Sequence, residues 1–261
     1  MRVARILDRP PVAIALYAAI MAALIWSAYV GAQRMGYNWQ WYRVPQYLGA
    51  LTEDGFQPGE ILIGLWATVR LSAAAFGLAV LIGAGVAILR LSGLIMGRGV
   101  ATVYLELIRN IPLLVLLYLF YYVLGPILDL SRWSAAILTL AVFHSALISE
   151  IFRAGINSVA RGQWEAAGAI GMSRAQAFAY IILPQSVRFM LPPLTGEAVH
   201  LIKSSAIVSV IAVAELTTVG RNIISDSYMS FEIWFTVAAV YLAITLALSF
   251  GVSALERRFT P

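Results

Sequence analysis

Few side chains in this sequence can do chemistry, and most of those fall in three short stretches. One is His144, Ser145, Ser149 and Glu150, inside an apolar run from Trp133 to Ile156. Polar groups in hydrocarbon are costly unless they line a cavity or find partners. His144 and Glu150 are six residues apart, about 9 Å along a helix axis and on different faces. They do not make a simple pair, and Glu150 reads as structural, bonded to Arg153 or to a neighbouring helix. A second stretch holds Thr195, Gly196, Glu197, His200, Lys203, Ser204 and Ser205, just after Pro184, Pro192 and Pro193. Glu197 and Lys203 carry the two charges needed to clamp the ends of a zwitterion, so His144, Glu197 and Lys203 are the candidate substrate-pathway residues. Interhelical hydrogen bonding accounts for each of them equally well. The third stretch, Glu165 to Pro184, reads EAAGAIGMSRAQAFAYIILP and is a polar, glycine-broken interval between long apolar runs. Glu165, Ala166 and Ala167 suit a short helix, and Gly171 supplies a turn with positive φ. Ser173 with Gln176 has the form of a capping box that restarts a helix. The pattern predicts helix, turn, helix.

The remaining inventory excludes several classes. No nucleophile, metal cluster or close carboxylate pair presents itself, so no catalytic residue is expected. Two histidines, His144 and His200, are too few to argue for a metal, and the absence of cysteine rules out a disulfide framework or a thiolate site. No G-x-x-x-x-G-K-[ST] occurs, so any ATP hydrolysis lies in another chain. The net charge of +5 comes from 17 Arg and one Lys. With no basic, aromatic-interleaved soluble face, that charge is better explained by membrane topology than by nucleic-acid binding.

The elements that position these residues follow from composition. Of 261 residues, 61% are hydrophobic and 12% charged, which describes an all-α polytopic membrane protein of about six transmembrane helices. The first span runs from Pro11 to Gly31 behind Arg2, Arg5 and Arg9. It is longer than the usual ~7–15-residue signal core and no small-x-small cleavage site follows, so it reads as retained. Residues 32–59, rich in Trp and Tyr, suit an interfacial helix at the headgroup level. Further spans are expected at Glu60–Leu91, Ala101–Leu124 with a kink at Pro112, Trp133–Ile156, a proline-bent fifth from near Ala175, and Glu232–Leu255. Ala206–Ala214 is too short to cross and reads as a partial helix leading to an outer loop.

Six spans put both termini on one side. Arg2, Arg5, Arg9, Arg90, Arg98, Arg109, Arg153, Arg161, Arg174, Arg257 and Arg258 then share a side, against Arg34, Arg43, Arg132, Lys203 and Arg221 on the other. The positive-inside rule places the larger group, both termini and the Glu165–Arg174 loop in the cytoplasm.

Taken position by position, Glu165-Ala166-Ala167, then Gly171, then Ile181-Ile182-Leu183-Pro184 resembles the EAA loop of ABC-importer permease subunits. Arg109, Pro112, Leu113 and Leu114 resemble an element of the polar amino-acid (histidine/glutamate/glutamine-type) branch, although an interfacial anchor with a kink explains them too. Glu150-Ile-Phe-Arg153-Ala-Gly155-Ile resembles the segment that precedes the loop in that branch. Where the branch has Asn-Glu and later Asp, this chain has Gly196-Glu197 and Ser204, so a finer substrate assignment stays open. The resemblance implies an N-terminal helix and periplasmic segment over 1–59 and a five-helix importer core over 60–258, with a cytoplasmic coupling loop near 161–174. In that reading Glu165, Ala166, Ala167 and Gly171 couple to an ATP-binding subunit. It further implies a multi-pass protein of the bacterial cytoplasmic (inner) membrane that pairs with itself or a similar permease. Two ATP-binding subunits would carry ATP and Mg, with no cofactor in this chain, and a periplasmic binding protein would deliver a polar amino acid. An opine or other small zwitterion is an alternative substrate. A secondary carrier is the alternative class, and it leaves the complete loop spacing unexplained.

Overall fold

The computed structural model describes residues 10–53 and 55–259. Arg2, Arg5 and Arg9 lie outside the described residues, as do the side chains of Arg257 and Arg258. The chain divides into two units, residues 1–41 and 42–261. In the first, α1 (Pro10–Arg34) is long and apolar, and none of its most apolar window is buried within the structure. A helix with apolar residues all round has the surface of a membrane span. Beyond it, Tyr37 and Trp39 meet edge to face at 5.2 Å, and Trp39 stacks on Trp41 at 6.2 Å.

The second unit opens with α2 (Val44–Leu48) and a hairpin of β1 (Gly49–Thr52) and β2 (Gly55–Pro58), in which Ala50 pairs with Gln57. The single interfacial helix expected over 32–59 is not formed, because Pro45, Gly49, Gly55, Pro58 and Gly59 interrupt helical bonding. Gly59 closes the hairpin back onto α2, donating to the Leu48 carbonyl at 2.9 Å, and a Cβ there would lie 2.3 Å from the Tyr47 carbonyl oxygen.

α3 (Glu60–Leu91) and α6 (Arg132–Asn157) form the centre of the bundle. Contacts along them fix their relative direction: Arg70 lies over the Trp133 ring at 5.9 Å, Gly83 abuts Ser145 and Ile148, and Arg90 pairs with Glu150. The two helices therefore run parallel, and the chain between them must return the length of the bundle. It does so in two pieces, α4 (Ile95–Asn110) and α5 (Leu113–Leu128), bent by 106°. This corrects the expectation of one kinked span over Ala101–Leu124. Proline forces the residue before it out of the helical region. Ile111 (φ −97°, ψ 126°) and Pro112 (φ −58°, ψ 138°) are both extended, which breaks the helix instead of bending it.

After α7 (Arg161–Ala169), α8 (Arg174–Ile211) runs antiparallel to α6: Gly155 meets Met190, His144 meets Glu197, and Arg132 donates to the Ala212 carbonyl. The interruptions expected at its prolines are absorbed. Pro184 lies inside this helix directly after a π-helical turn over Phe178–Ile182, whose altered hydrogen bonding accommodates a residue with no N–H. Pro192 and Pro193 sit inside the continuous helix, where the Thr195 hydroxyl donates to the Leu191 and Pro192 carbonyls. The stretch read as a partial helix and loop is a 3-10 turn (Ser205–Ile211) followed by α9 (Leu216–Ser227), and α10 (Ser230–Phe259) ends the described chain. Among the described residues, five helices are long and apolar enough to cross a membrane, and six spans result with α4 and α5 taken as one. Leu71, Ala75, Leu117, Ala136, Leu140 and Leu201 make the central core, between α3, α5, α6 and α8.

Candidate functional site

Two places concentrate polar chemistry. The first is the end of the bundle where α6 gives way to α8. Backbone hydrogen bonding closes α7 in a left-handed turn: the Met172 N–H donates to Ala167 at 3.1 Å and the Gly171 N–H to Gly168 at 3.0 Å, the paired bonds of a Schellman motif. Gly171 takes φ +79°, which a β-branched residue does not adopt without strain. The next helix starts at once. Gln176 N–H donates to Ser173 Oγ, and Ser173 N–H to Gln176 Oε1 at 2.9 Å, completing the capping box. Helix, turn and helix are thus the pattern read from the sequence. Gln185 Nε2 donates to Gln163 Oε1 at 3.2 Å, tying α7 to α8.

The two alanines of this segment divide. Ala167 is fully buried against its own chain, whereas Glu165 and Ala166 are exposed. Glu165 accepts from Arg161 Nε at 3.0 Å one turn back, which holds the carboxylate on the outer face of α7. Beside it lies a cleft of about 900 Å3 lined by Leu91, Trp164, Glu165, Gly168, Met172 and Phe178.

The second place is midway along α6. His144 is fully buried, and its Nδ1 lies 2.5 Å from Glu197 Oε1 on α8. Glu197 Oε2 is 3.8 Å from Nδ1 of His200, one turn further on. Two of the three candidate residues, His144 and Glu197, therefore meet, and His200, which sequence reasoning left out of the candidate set, joins them. The Glu197–x–x–His200 spacing was the available signal. Lys203 is not part of this group. It borders a separate cavity of about 310 Å3 with Tyr241, Leu242 and Thr245, while Glu197 borders one of about 620 Å3 with Glu150, Gly155, Phe189 and Gly196. Six helical residues turn Lys203 to another side of α8, so within one chain the two charges do not form a clamp.

Glu150 is held by Arg90 from α3 and by Arg153, whose Nε and one terminal nitrogen reach Oε2 at 2.9 and 2.7 Å. It is the structural carboxylate that its position implied, joined to both partners. A second acidic group, Glu215, lies in the stretch that the sequence reads as an outer loop. It caps α9, accepting from the Thr218 and Thr217 N–H groups at 2.8 and 2.9 Å and from the Tyr241 hydroxyl at 2.9 Å, fully buried. Burial pushes this carboxyl above its ordinary value, against the amide and hydroxyl bonds that favour its charged form.

Polar groups kept halfway along apolar helices belong to proteins that pass something polar through a membrane, and a short helix held out at the end of the bundle gives such a protein a handle for another subunit. Comparison with known proteins places the chain among them. Residues 79–261 match the model of the family described as binding-protein-dependent transport system inner membrane component. The chain belongs to that family, the permease subunits of ABC importers, which are not themselves catalytic. It is 37% identical over 196 residues to the probable glutamine ABC transporter permease protein GlnM of Bacillus subtilis (strain 168), covering 75% of this chain and 91% of that one. It is 41% identical over 162 residues to the glutamine transport system permease protein GlnP of Escherichia coli (strain K12), covering 61% and 74%. Its fold matches a chain from a crystal structure of an amino acid ABC transporter with histidines, at 39% identity and TM-score 0.71, over 76% of this chain and 94% of that one.

Proposed function

We propose that this chain is the permease of an importer for a polar amino acid of the glutamine type in a bacterial inner membrane, with both termini and α7 in the cytoplasm. Residues 60–258 form its transport core, preceded by an N-terminal helix and periplasmic segment over 1–59. Two permeases, identical or similar, assemble with two ATP-binding subunits that hold ATP and Mg, and an extracytoplasmic binding protein delivers substrate. The names of the 37–41% identical relatives support the substrate class.

The observation that carries the reading is α7, closed at its C-terminus by a Schellman turn and followed at once by the capping box that starts α8, yet exposing Glu165 and Ala166. Glu165 and Ala166 face the ATP-binding subunit, Ala167 lets α7 sit close to its own bundle, and Gly171 sets the angle between α7 and α8. Closure of the ATP-binding pair draws the two α7 helices together, and the movement passes to α8 as a rigid-body shift. Glu197 lines the substrate route, where its carboxylate attracts the substrate's ammonium, His144 serves that route from behind by holding the carboxylate, and Lys203 contributes from its separate cavity.

The test is to purify the complex without assuming its members, identify what copurifies, and measure ATP hydrolysis across a panel of amino acids with their binding protein. An ATP-binding subunit and stimulation by polar amino acids are expected. A chain that purifies alone and carries flux with no nucleotide dependence overturns the reading in favour of a carrier.

A further inference from the structure

His144, Glu197 and His200 each offer one ligand atom, and these atoms all lie within 4.8 Å of one another. We propose that they form a binding site for a first-row divalent cation, of which Zn2+ is the representative. Two imidazoles and one carboxylate, with no cysteine in the chain, are the donor set of such ions, whereas Mg2+ and Ca2+ take oxygen ligands. The sequence argued against a metal by counting histidines, which overlooks that a carboxylate supplies the third ligand.

The spacing fits. Bonds of about 2.0–2.1 Å in tetrahedral geometry place ligand atoms roughly 3.4 Å apart. The separations here, 2.5 Å from His144 Nδ1 to Glu197 Oε1 and 3.8 Å from His200 Nδ1 to Glu197 Oε2, lie on either side of that value. Rotation of the Glu197 side chain evens them. Glu197 and His200 stand one turn apart on α8, and His144 comes from the antiparallel helix α6, so two regular helices position the ligands.

The His144 ring is fully buried and already turns its Nδ1 toward Glu197, so this ligand atom faces the cluster without rearrangement. The cluster is also reachable: the His200 side chain is 54% exposed and that of Glu197 11%, and Glu197 borders the cavity of about 620 Å3. With three protein ligands, the fourth position stays open to water or to a carboxylate or amine, as in zinc sites that bind substrate. The proposal concerns ion binding alone and stands or falls whatever the chain transports.

The complex, purified through a tag free of histidine and stripped with a chelator, is titrated with ZnCl2, and retained metal is counted by elemental analysis after desalting. Co2+ replaces Zn2+ in a parallel sample, and its visible absorption reports four-coordinate geometry. One ion per copy of this chain is expected, with His200→Ala and Glu197→Gln each weakening binding roughly tenfold or more. His200 is exposed, so its replacement does not threaten folding. Absence of a stoichiometric ion in the wild-type complex, or binding that neither substitution alters, overturns the proposal.

Discussion

At Gly171 a Cβ would touch nothing within 4 Å, so the demand on this position is conformational and not steric. Left-handed backbone costs a non-glycine residue about 1–2 kcal/mol, least for Asn and most for β-branched side chains. Gly171→Val should therefore abolish transport and substrate-stimulated ATP hydrolysis while the protein remains inserted, and Gly171→Asn should keep much of both. Uptake in membrane vesicles decides the matter, and a fully active Val variant removes the turn from the coupling mechanism. At Glu197 a charge-assisted hydrogen bond worth about 1.5–3 kcal/mol is at stake. Glu197→Ala should raise the substrate concentration for half-maximal uptake roughly tenfold or more, and a wild-type value counts against its place on the route. The loop and its caps were legible residue by residue, because a Schellman turn and a capping box bind neighbours a few positions apart. The His144–Glu197 contact was not, since it joins residues 53 positions apart and depends on how α6 and α8 align.

Among the elements, α3 and α6 are joined at one end by the Arg90, Glu150 and Arg153 group. Removing a carboxylate between two guanidinium groups leaves both without their acceptor. Glu150→Ala should lower the melting temperature of the purified permease, by an amount equivalent to about 1–3 kcal/mol, and an unchanged melt would show the group to be solvated instead. At α9, losing the Glu215 cap should cost about 1–2 kcal/mol in Glu215→Ala. Because burial raises this carboxyl, folding favours its protonated form. Its contribution is full below the ordinary glutamate range and is lost as pH rises through the raised value. Glu215→Gln should flatten that part of the melting profile against pH, and an identical slope in wild type and variant refutes the assignment. Span lengths were legible from apolar runs, as with Glu60–Leu91. The break at Pro112 was legible as a proline but not as a 106° turn, since the angle depends on what α4 and α5 pack against. Small residues were equally ambiguous in the sequence: a Cβ added at Gly64 or Gly83 would meet neighbouring helices at about 3 Å, while one at Gly77 or Gly85 would meet nothing within 4 Å.

For the whole molecule, parallel packing of α3 and α6 means that α4 and α5 together make one passage through the bundle. That parity sets which side α7 occupies, and the absence of cysteine makes it measurable without a prior replacement. Gly162→Cys should be labelled by an impermeant maleimide only from the cytoplasmic side, and labelling from outside would invert the topology. The continuity of α8 has a further mechanical meaning. Its π-helical turn at Phe178–Ile182 lies close in sequence to α7, and Glu197 lies about 22 Å beyond it at helical rise. A swing of about 8° at that joint displaces Glu197 by about 3 Å, more than the 2.5 Å now separating it from His144. Such a helix would act as a lever arm, and a deflection too small to disturb the packing near its fulcrum would suffice to part the contact between His144 and Glu197 midway along α6.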